Sequence, residues 1–396
     1  MRLRFDGSAI LPGHSAGVET FAYGLLGGLA ELDRFDLTVD VARSTTEAWR
    51  AEVDAPGIRW NEVSVPLTVG SPAGRALRKV LPDGIGSSRL ARKAISAVRG
   101  RAARPAEDDA DVTLYPFHRV PIRTPRSVVT VHDLRAFQPE FANAADVDVV
   151  RRNVAAAGAV VASWPHPYRQ LTESFPTAAG KAALIPLPAF TPGRPVDAPR
   201  DPALLLYPSS TAEHKNHVNL VRAMSVLPGL RLVCPGPLVE PQAGRAAAEV
   251  AERGLGDRVS FPGFVSRGEL EQLFARASVV VVPSMWEAAS GAVFEAFSWG
   301  LPVACADVPP LRAQIDFAGG NAAFFDPADP ADMARAVRTV VADRERYAEA
   351  SRRAGLRLAG RSWREVAADY AAVLDWVGRG RRGPMPVAPF VAGASW

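Results

Sequence analysis

Lysine is scarce in this chain: of 46 basic residues only Lys79, Lys93, Lys181 and Lys215 are lysines, so each stands out against arginine. Cysteine is scarcer still. Cys234 and Cys305 each sit in an apolar run, which excludes a disulfide framework and a zinc site and reads as two buried thiols in a reducing compartment. No segment approaches the ~18 unbroken apolar residues of a membrane helix. The opening "MRLRFDGSAILPGHSAGVETF" lacks the apolar core and cleavage site of a secretory signal, so a cytoplasmic location is expected. His14, His118, His166 and His217 show no metal-ligand spacing, and no metal or cofactor is expected. The Gly-rich stretches do not form a dinucleotide fingerprint.

The 396 residues, 48% hydrophobic and 22% charged, describe a soluble globular chain too long for one core. Short apolar runs alternate with helical patterns. "SVVTV" (127–131), "GAVVAS" (158–163) and "AALIPL" (182–187) read as buried strands, as do "ALLLYP" (203–208), "LRLVCP" (230–235), "RVSFPG" (258–263), "SVVVVP" (278–283), "PVACA" (302–306) and "AAFF" (322–325). Helical stretches lie between them at 214–227, 241–253, 266–276 and 330–341. This predicts an α/β, doubly wound architecture. The proline-rich "PAFTPGRPVDAPRDP" (188–202) reads as a linker between domains at 1–190 and 200–360. A C-terminal helix at 361–378, packing back on the first domain, and a flexible tail at 379–396 complete the division. Two such sheets would face each other across a cleft, with ligands beyond the carboxyl ends of the strands.

The net charge is only +4, yet the segment 75–104 holds nine Lys or Arg and one acid, Asp83. It reads either as a solvated helical face or as a basic surface for anionic lipid or an anionic acceptor. No recognition motif accompanies it, so nucleic acid is not an expected partner. "EDDAD" (107–111) and "DVD" (146–148) read as exposed acidic positions rather than a metal motif, and Trp49, Trp60 and Trp164 as packing.

Chemistry concentrates at two strand ends. After "SVVVVP" comes "SMWEAASGAVFEAFSWG": Glu287 lies in the loop, Ser290 is placed to cap the next helix, and Glu295 rides its second turn. The free amides of 290–293 between the two carboxylates form a phosphate site. A nucleoside diphosphate sugar, with hydroxyls on both sides of its phosphates, matches that order. After "ALLLYP" the layout repeats: Ser209, Ser210 and Thr211, then Lys215 just ahead of a helix that Asn216 is placed to cap.

"HKNHVNLVRA" followed by Glu-x7-Glu resembles the donor half of the retaining GT-B glycosyltransferases of family four. The likeness extends to "AGVETFAYGLLGGL" (16–29), "VTVHDLRAFQPEF" (129–141) and "LIPLP" (184–188). It implies a GT-B fold of two Rossmann-like domains and transfer of a sugar from a nucleoside diphosphate to a glycan, lipid-linked or small-molecule acceptor. By position it implies that Glu287 binds donor-sugar hydroxyls, Glu295 the ribose, and Lys215 the diphosphate leaving group. It further implies amides at Ala289, Ser290 and Gly291 on sugar or phosphate, with the base near Gly263, Phe264 and Val265. His132 would face the sugar and Gly17 the diphosphate. The chain departs from the family in carrying Ala288-Ala289-Ser290-Gly291-Ala292 after the first glutamate, where Gly-Phe-Gly-Leu-Pro is usual, and in lacking an arginine shortly before Lys215. Two other readings share these residues: a nucleotide-sugar epimerase using His132, Asp133 and Glu287, and a non-catalytic nucleotide-sugar sensor.

Overall fold

A computed structural model describes residues 1–10, 12, 17–53, 55–63, 109–119, 122, 124–141, 144–188 and 198–387. The basic segment 75–104 lies outside the described residues, as does 189–197 of the linker. The chain divides into two compact units, each built around a parallel sheet. The first comprises Met1–Ser163, Tyr168–Pro186 and Trp363–Trp396, and the second Trp164–Pro167 and Leu187–Ser362.

In the first unit the strands are β1 (Arg2–Asp6), β2 (Asp36–Ala42), β3 (Arg59–Val63), β4 (Val112–Tyr115), β5 (Ser127–Val131), β6 (Ala159–Ala162) and β7 (Ala182–Leu184). Their order is β3-β2-β1-β4-β5-β6-β7, all neighbours parallel. β4, β5 and β6 are buried at every position, as expected of apolar runs covered on both faces. Asp109 and Asp111 of the acidic stretch pair with Arg4 and Arg2 of β1, so these carboxylates form ion pairs with an interior strand of the sheet.

The final helix, Trp363–Gly378, lies in this first unit against the helix Gly17–Glu31. Two glycines make that approach possible: a Cβ on Gly24 would fall 2.1 Å from the Trp363 ring, and one on Gly28 would fall 2.5 Å from the Trp363 carbonyl. Tyr370 from the final helix reaches under the sheet, with its hydroxyl 3.0 Å from Thr130 Oγ1 of β5.

The second unit holds β8 (Leu204–Leu206), β9 (Arg231–Pro235), β10 (Val259–Gly263), β11 (Val279–Val282), β12 (Val303–Ala306) and β13 (Ala323–Phe325), ordered β10-β9-β8-β11-β12-β13 and again parallel. Strand order reverses between β8 and β11, and between β1 and β4 in the first unit. At such a switch point the loops leaving adjacent strands diverge and open a crevice at the carboxyl ends. In the second unit those two loops carry Lys215 and Glu287. No helix among the described residues is long and apolar enough to cross a membrane.

Candidate active site

The β8 loop is shaped by one close approach. Gly236, after β9, has φ +148° and no room for a side chain, since a Cβ would lie 2.3 Å from the Ser209 carbonyl. Ser209 and Ser210 follow, half-buried, and then a tight 3-10 turn, Glu213–Lys215. Asn216 ends that turn in the left-handed region, φ 60°, which asparagine tolerates better than most residues. Its side chain does not cap the helix His217–Met224 as the sequence suggested. It donates instead to the carbonyls of Pro283, 3.0 Å, and Pro327, 2.7 Å. The asparagine therefore ties the β8 turn to the end of β11.

That tie brings Lys215 to Glu287. The ammonium Nζ lies 2.6 Å from Glu287 Oε1, and the same oxygen accepts from Ser284 Oγ at 2.8 Å. Ser284 in turn meets the Tyr207 hydroxyl at 2.8 Å, and Tyr207 donates to the Lys215 carbonyl at 3.2 Å. Burial raises the Tyr207 phenol well above its usual range, with the Glu287 charge acting in the same direction. The phenol is thus a firm donor at neutral pH. Glu287 is buried, so it is no surface loop residue.

Ser290 occupies the N-cap position of the helix Gly291–Ser298 in extended backbone, but its hydroxyl makes no capping bond. Nor is its amide free: Ser290 N donates to Gln314 Oε1 at 2.7 Å, and Gln314 Nε2 returns a bond to the Ser290 carbonyl at 2.8 Å. The expected row of open amides therefore begins at Gly291, which is exposed, and not at Ser290. Ala289 is half-buried beside it. One turn on, Glu295 is buried and accepts from Arg267 Nη1 at 2.5 Å. Burial nonetheless raises the Glu295 carboxyl above the ordinary range, with Arg267 opposing the shift. Arg267 stands on a helix whose start is fixed by a Ser266–Glu269 capping box, and it also holds Glu271 at 3.0 Å.

Gly263 ends β10 at φ +77° with open space around it, and its carbonyl accepts from Gly236 N at 2.8 Å. Phe264, next to it, is 83% exposed, a large aromatic face held out from the end of a strand; Val265 is half-buried. Lys215, Glu287, Ser290, Gly291 and Glu295 thus come together through the loops after β8 and β11, with Gly263 and Phe264 at the end of β10.

The remaining two candidates stand in the first unit. Gly17 is the exposed first residue of the helix after β1. His132 follows β5; its Nε2 lies 2.8 Å from the Pro116 carbonyl, and its ring sits edge-on to Phe21 at 4.6 Å. A carbonyl only accepts, so Nε2 carries the proton. Burial lowers the His132 pKa and keeps the ring neutral. Asp133 is engaged by Arg119 Nη2 at 2.8 Å and by the Arg135 amide at 3.0 Å. Burial works to raise the Asp133 carboxyl, but the charges of His118 and Arg119 and the Arg135 amide outweigh it and hold it low.

Sequence reasoning did not reach Arg267, Gln314, Tyr207 or Ser284 as parts of this arrangement. Only Arg267 had a local signal, the Ser-x-x-Glu that starts its helix.

Comparison with known proteins speaks to the fold and to the second half of the chain. Residues 194–357 match the family model described as glycosyl transferases group 1. A D-inositol 3-phosphate glycosyltransferase of Xylanimonas cellulosilytica is 32% identical over 243 residues, covering 56% of this chain and 57% of that protein. A 2-deoxystreptamine glucosyltransferase of Streptomyces kanamyceticus is 35% identical over 103 residues, covering 26% of each. The chain thus spans from a quarter to little more than half the length of these curated relatives. Among solved structures, a sucrose-phosphate synthase from Thermosynechococcus elongatus aligns with TM-score 0.68 at 20% identity over 96% of this chain and all of that one. Anabaena HepE, solved in complex with UDP and glucose, aligns with TM-score 0.65 at 17% identity over 95% of this chain and 99% of that one. The fold is GT-B, and it is residues 194–357 that match the model of the glycosyl transferases group 1 family.

Proposed function

We propose that this chain is a retaining, metal-independent glycosyltransferase that moves a hexose from a nucleoside diphosphate sugar to a glycan, lipid-linked or small-molecule acceptor. The observation that carries the reading is the convergence of Lys215 and Glu287 at the strand-order reversal of the second sheet, with Glu295 one helical turn beyond. Glycosyl transfer needs positive charge preset where the diphosphate departs, and a lysine on a rigid turn supplies it without reorganisation. An arriving phosphate would compete with Glu287 for that ammonium and free the carboxylate for sugar hydroxyls. Glu295, oriented by Arg267, suits the ribose diol, and the exposed amide of Gly291 suits phosphate or sugar oxygen. In the retaining family the acceptor hydroxyl attacks from the leaving-group face, so no protein nucleophile is needed. In the first unit the proposal gives His132 a sugar-facing role and Gly17 a diphosphate-facing one.

The names of the relatives include an inositol phosphate and an aminocyclitol as acceptors, which supports small polyols as one acceptor class. An epimerase would need a free acid/base pair. His132 already donates its proton to Pro116 and Asp133 is held by Arg119, which favours the transferase. The test is a donor panel scored first by thermal shift, since a ligand bound to the native state raises stability by mass action. The responsive donor is then incubated with inositol, aminocyclitol and glucan acceptors, and the anomeric configuration of the product is read by NMR. Retention supports the proposal. Inversion, or isomerised sugar without an acceptor, contradicts it.

A further inference from the structure

Asn153 stands on the helix Ala144–Ala156 among Val150 and Val154, which belong to the core of the first unit, and is itself buried. Asparagine is a poor helix former, and a buried amide needs partners. It finds them in one loop: Nδ2 donates to the His118 carbonyl at 2.8 Å, and Oδ1 accepts from the Ile122 amide at 3.1 Å. One side chain thus bridges two points of the chain that leaves β4. The same stretch holds His132 and Asp133 after β5. The Pro116 carbonyl takes the His132 Nε2 proton at 2.8 Å, His118 Nδ1 accepts from the His132 amide at 3.3 Å, and Arg119 Nη2 grips Asp133 at 2.8 Å. Residues 116–119 therefore set the ring, the backbone and the next neighbour of His132.

We propose that Asn153 is a positioning residue for His132: by clamping His118 and Ile122 it keeps the Pro116 carbonyl on Nε2, so that Nδ1 meets the sugar as a fixed hydrogen-bond acceptor. The inference rests on the sugar-facing role proposed for His132 and adds a direction to it. A neutral imidazole has one donor and one acceptor nitrogen, and here the donor is spent on Pro116. The nitrogen that remains selects a hydroxyl, which can donate, over an oxygen that carries no proton. Asn153 acts through the loop, and its amide is placed to do so from a rigid element.

The test is ¹H–¹⁵N NMR of the histidine rings in the full chain without ligand, set beside acceptor-dependent release of nucleoside diphosphate. In the wild type His132 should show a proton on Nε2 that exchanges slowly with solvent, and a bare Nδ1. Two variants loosen the clamp: Asn153→Ala removes both bonds, and Asn153→Asp keeps the acceptor for Ile122 but loses the donor to His118. Each is expected to speed exchange of the Nε2 proton at least tenfold and to lower turnover about tenfold. Val154→Ala thins the core on the same helix and leaves the amide in place, so the exchange rate there should match the wild type. The proposal is overturned if the wild-type proton sits on Nδ1, if exchange stays slow in both Asn153 variants, or if Val154→Ala speeds it equally. The wild-type spectrum identifies the protonated nitrogen whether or not a variant folds. Fast exchange with unchanged turnover would support the positioning role and contradict the sugar-facing role of His132, so the two failures are read apart.

Discussion

Lys215 Nζ and Glu287 Oε1, 72 residues apart in sequence, meet at 2.6 Å beyond the carboxyl ends of β8 and β11. Glu287 is the more enclosed partner, with 7% of its side chain exposed against 20% for Lys215. Removing the lysine therefore strands a buried carboxylate. Lys215→Ala is expected to lower stability by roughly 2–3 kcal/mol, less than a fully enclosed pair would lose. Adding Glu287→Gln should restore most of that in urea melts while activity stays lost. A double variant as unstable as Lys215→Ala alone would show that the pair is not the cause.

Gln314 grips both backbone groups of Ser290 and so sets the path of the loop that carries Ala289 and Gly291. Gln314→Ala leaves the buried Ser290 amide unanswered and its carbonyl with only the 3.4 Å bond from Phe294 N, a cost of about 1–3 kcal/mol. Its specific signature is a donor KM raised about tenfold with a smaller change in kcat. An unchanged KM would mean that the loop holds its shape without the clamp.

Arg267 opposes the rise that burial imposes on the Glu295 carboxyl. Without it the carboxyl moves further up. In Arg267→Ala, binding of the responsive nucleoside diphosphate should weaken as pH falls from neutral, earlier than in the wild type. Isothermal titration at several pH values reads this directly, and parallel pH profiles would remove Arg267 from the account.

Two buried histidines govern acid stability. Burial takes His118 and His217 to about 3, below the value near 6.5 that they regain on unfolding. The unfolded state then binds more protons between these limits, so stability is present above about pH 6.5 and falls as pH drops toward 3. Each histidine steepens the loss of stability across that window. Urea melts from pH 7 to 4 should show the slope, and His217→Phe should reduce it.

The contact between Gly24 and Trp363 leaves no space for a methyl group. Gly24→Ala should destabilise the first unit by about 1–3 kcal/mol and speed proteolysis of the final helix. Gly27, where a Cβ meets open space, is the control and should tolerate alanine.

Much of the parallel core was legible because its strands are unbroken apolar runs. "SVVTV" matches β5 residue for residue, and the runs at 203–208 and 278–283 each contain their strand. β1, β2, β3 and β4 were not foreseen. Arg2 and Arg4 interrupt β1, and their partners Asp111 and Asp109 are distant in sequence; β3, at the sheet edge, is only partly buried. The spacing of Glu287 and Glu295 was readable as a loop followed by a helix. Their partners were not, since Arg267 reaches Glu295 across 28 residues and Gln314 reaches Ser290 across 24. Asn216 and Ser290 stand where cap residues belong, yet tertiary partners claim the Asn216 side chain and the Ser290 amide.

The central claim is that Lys215, Glu287 and Glu295 form the donor site of a sugar transferase. Its most direct measurement is acceptor-dependent release of nucleoside diphosphate by the wild type, Lys215→Ala and Glu295→Ala, each confirmed folded. The account predicts release in the wild type, a fall of about 10²–10³ in turnover for Lys215→Ala, as for loss of a preset transition-state donor, and a clear loss of donor affinity for Glu295→Ala. Full activity in either variant would contradict it.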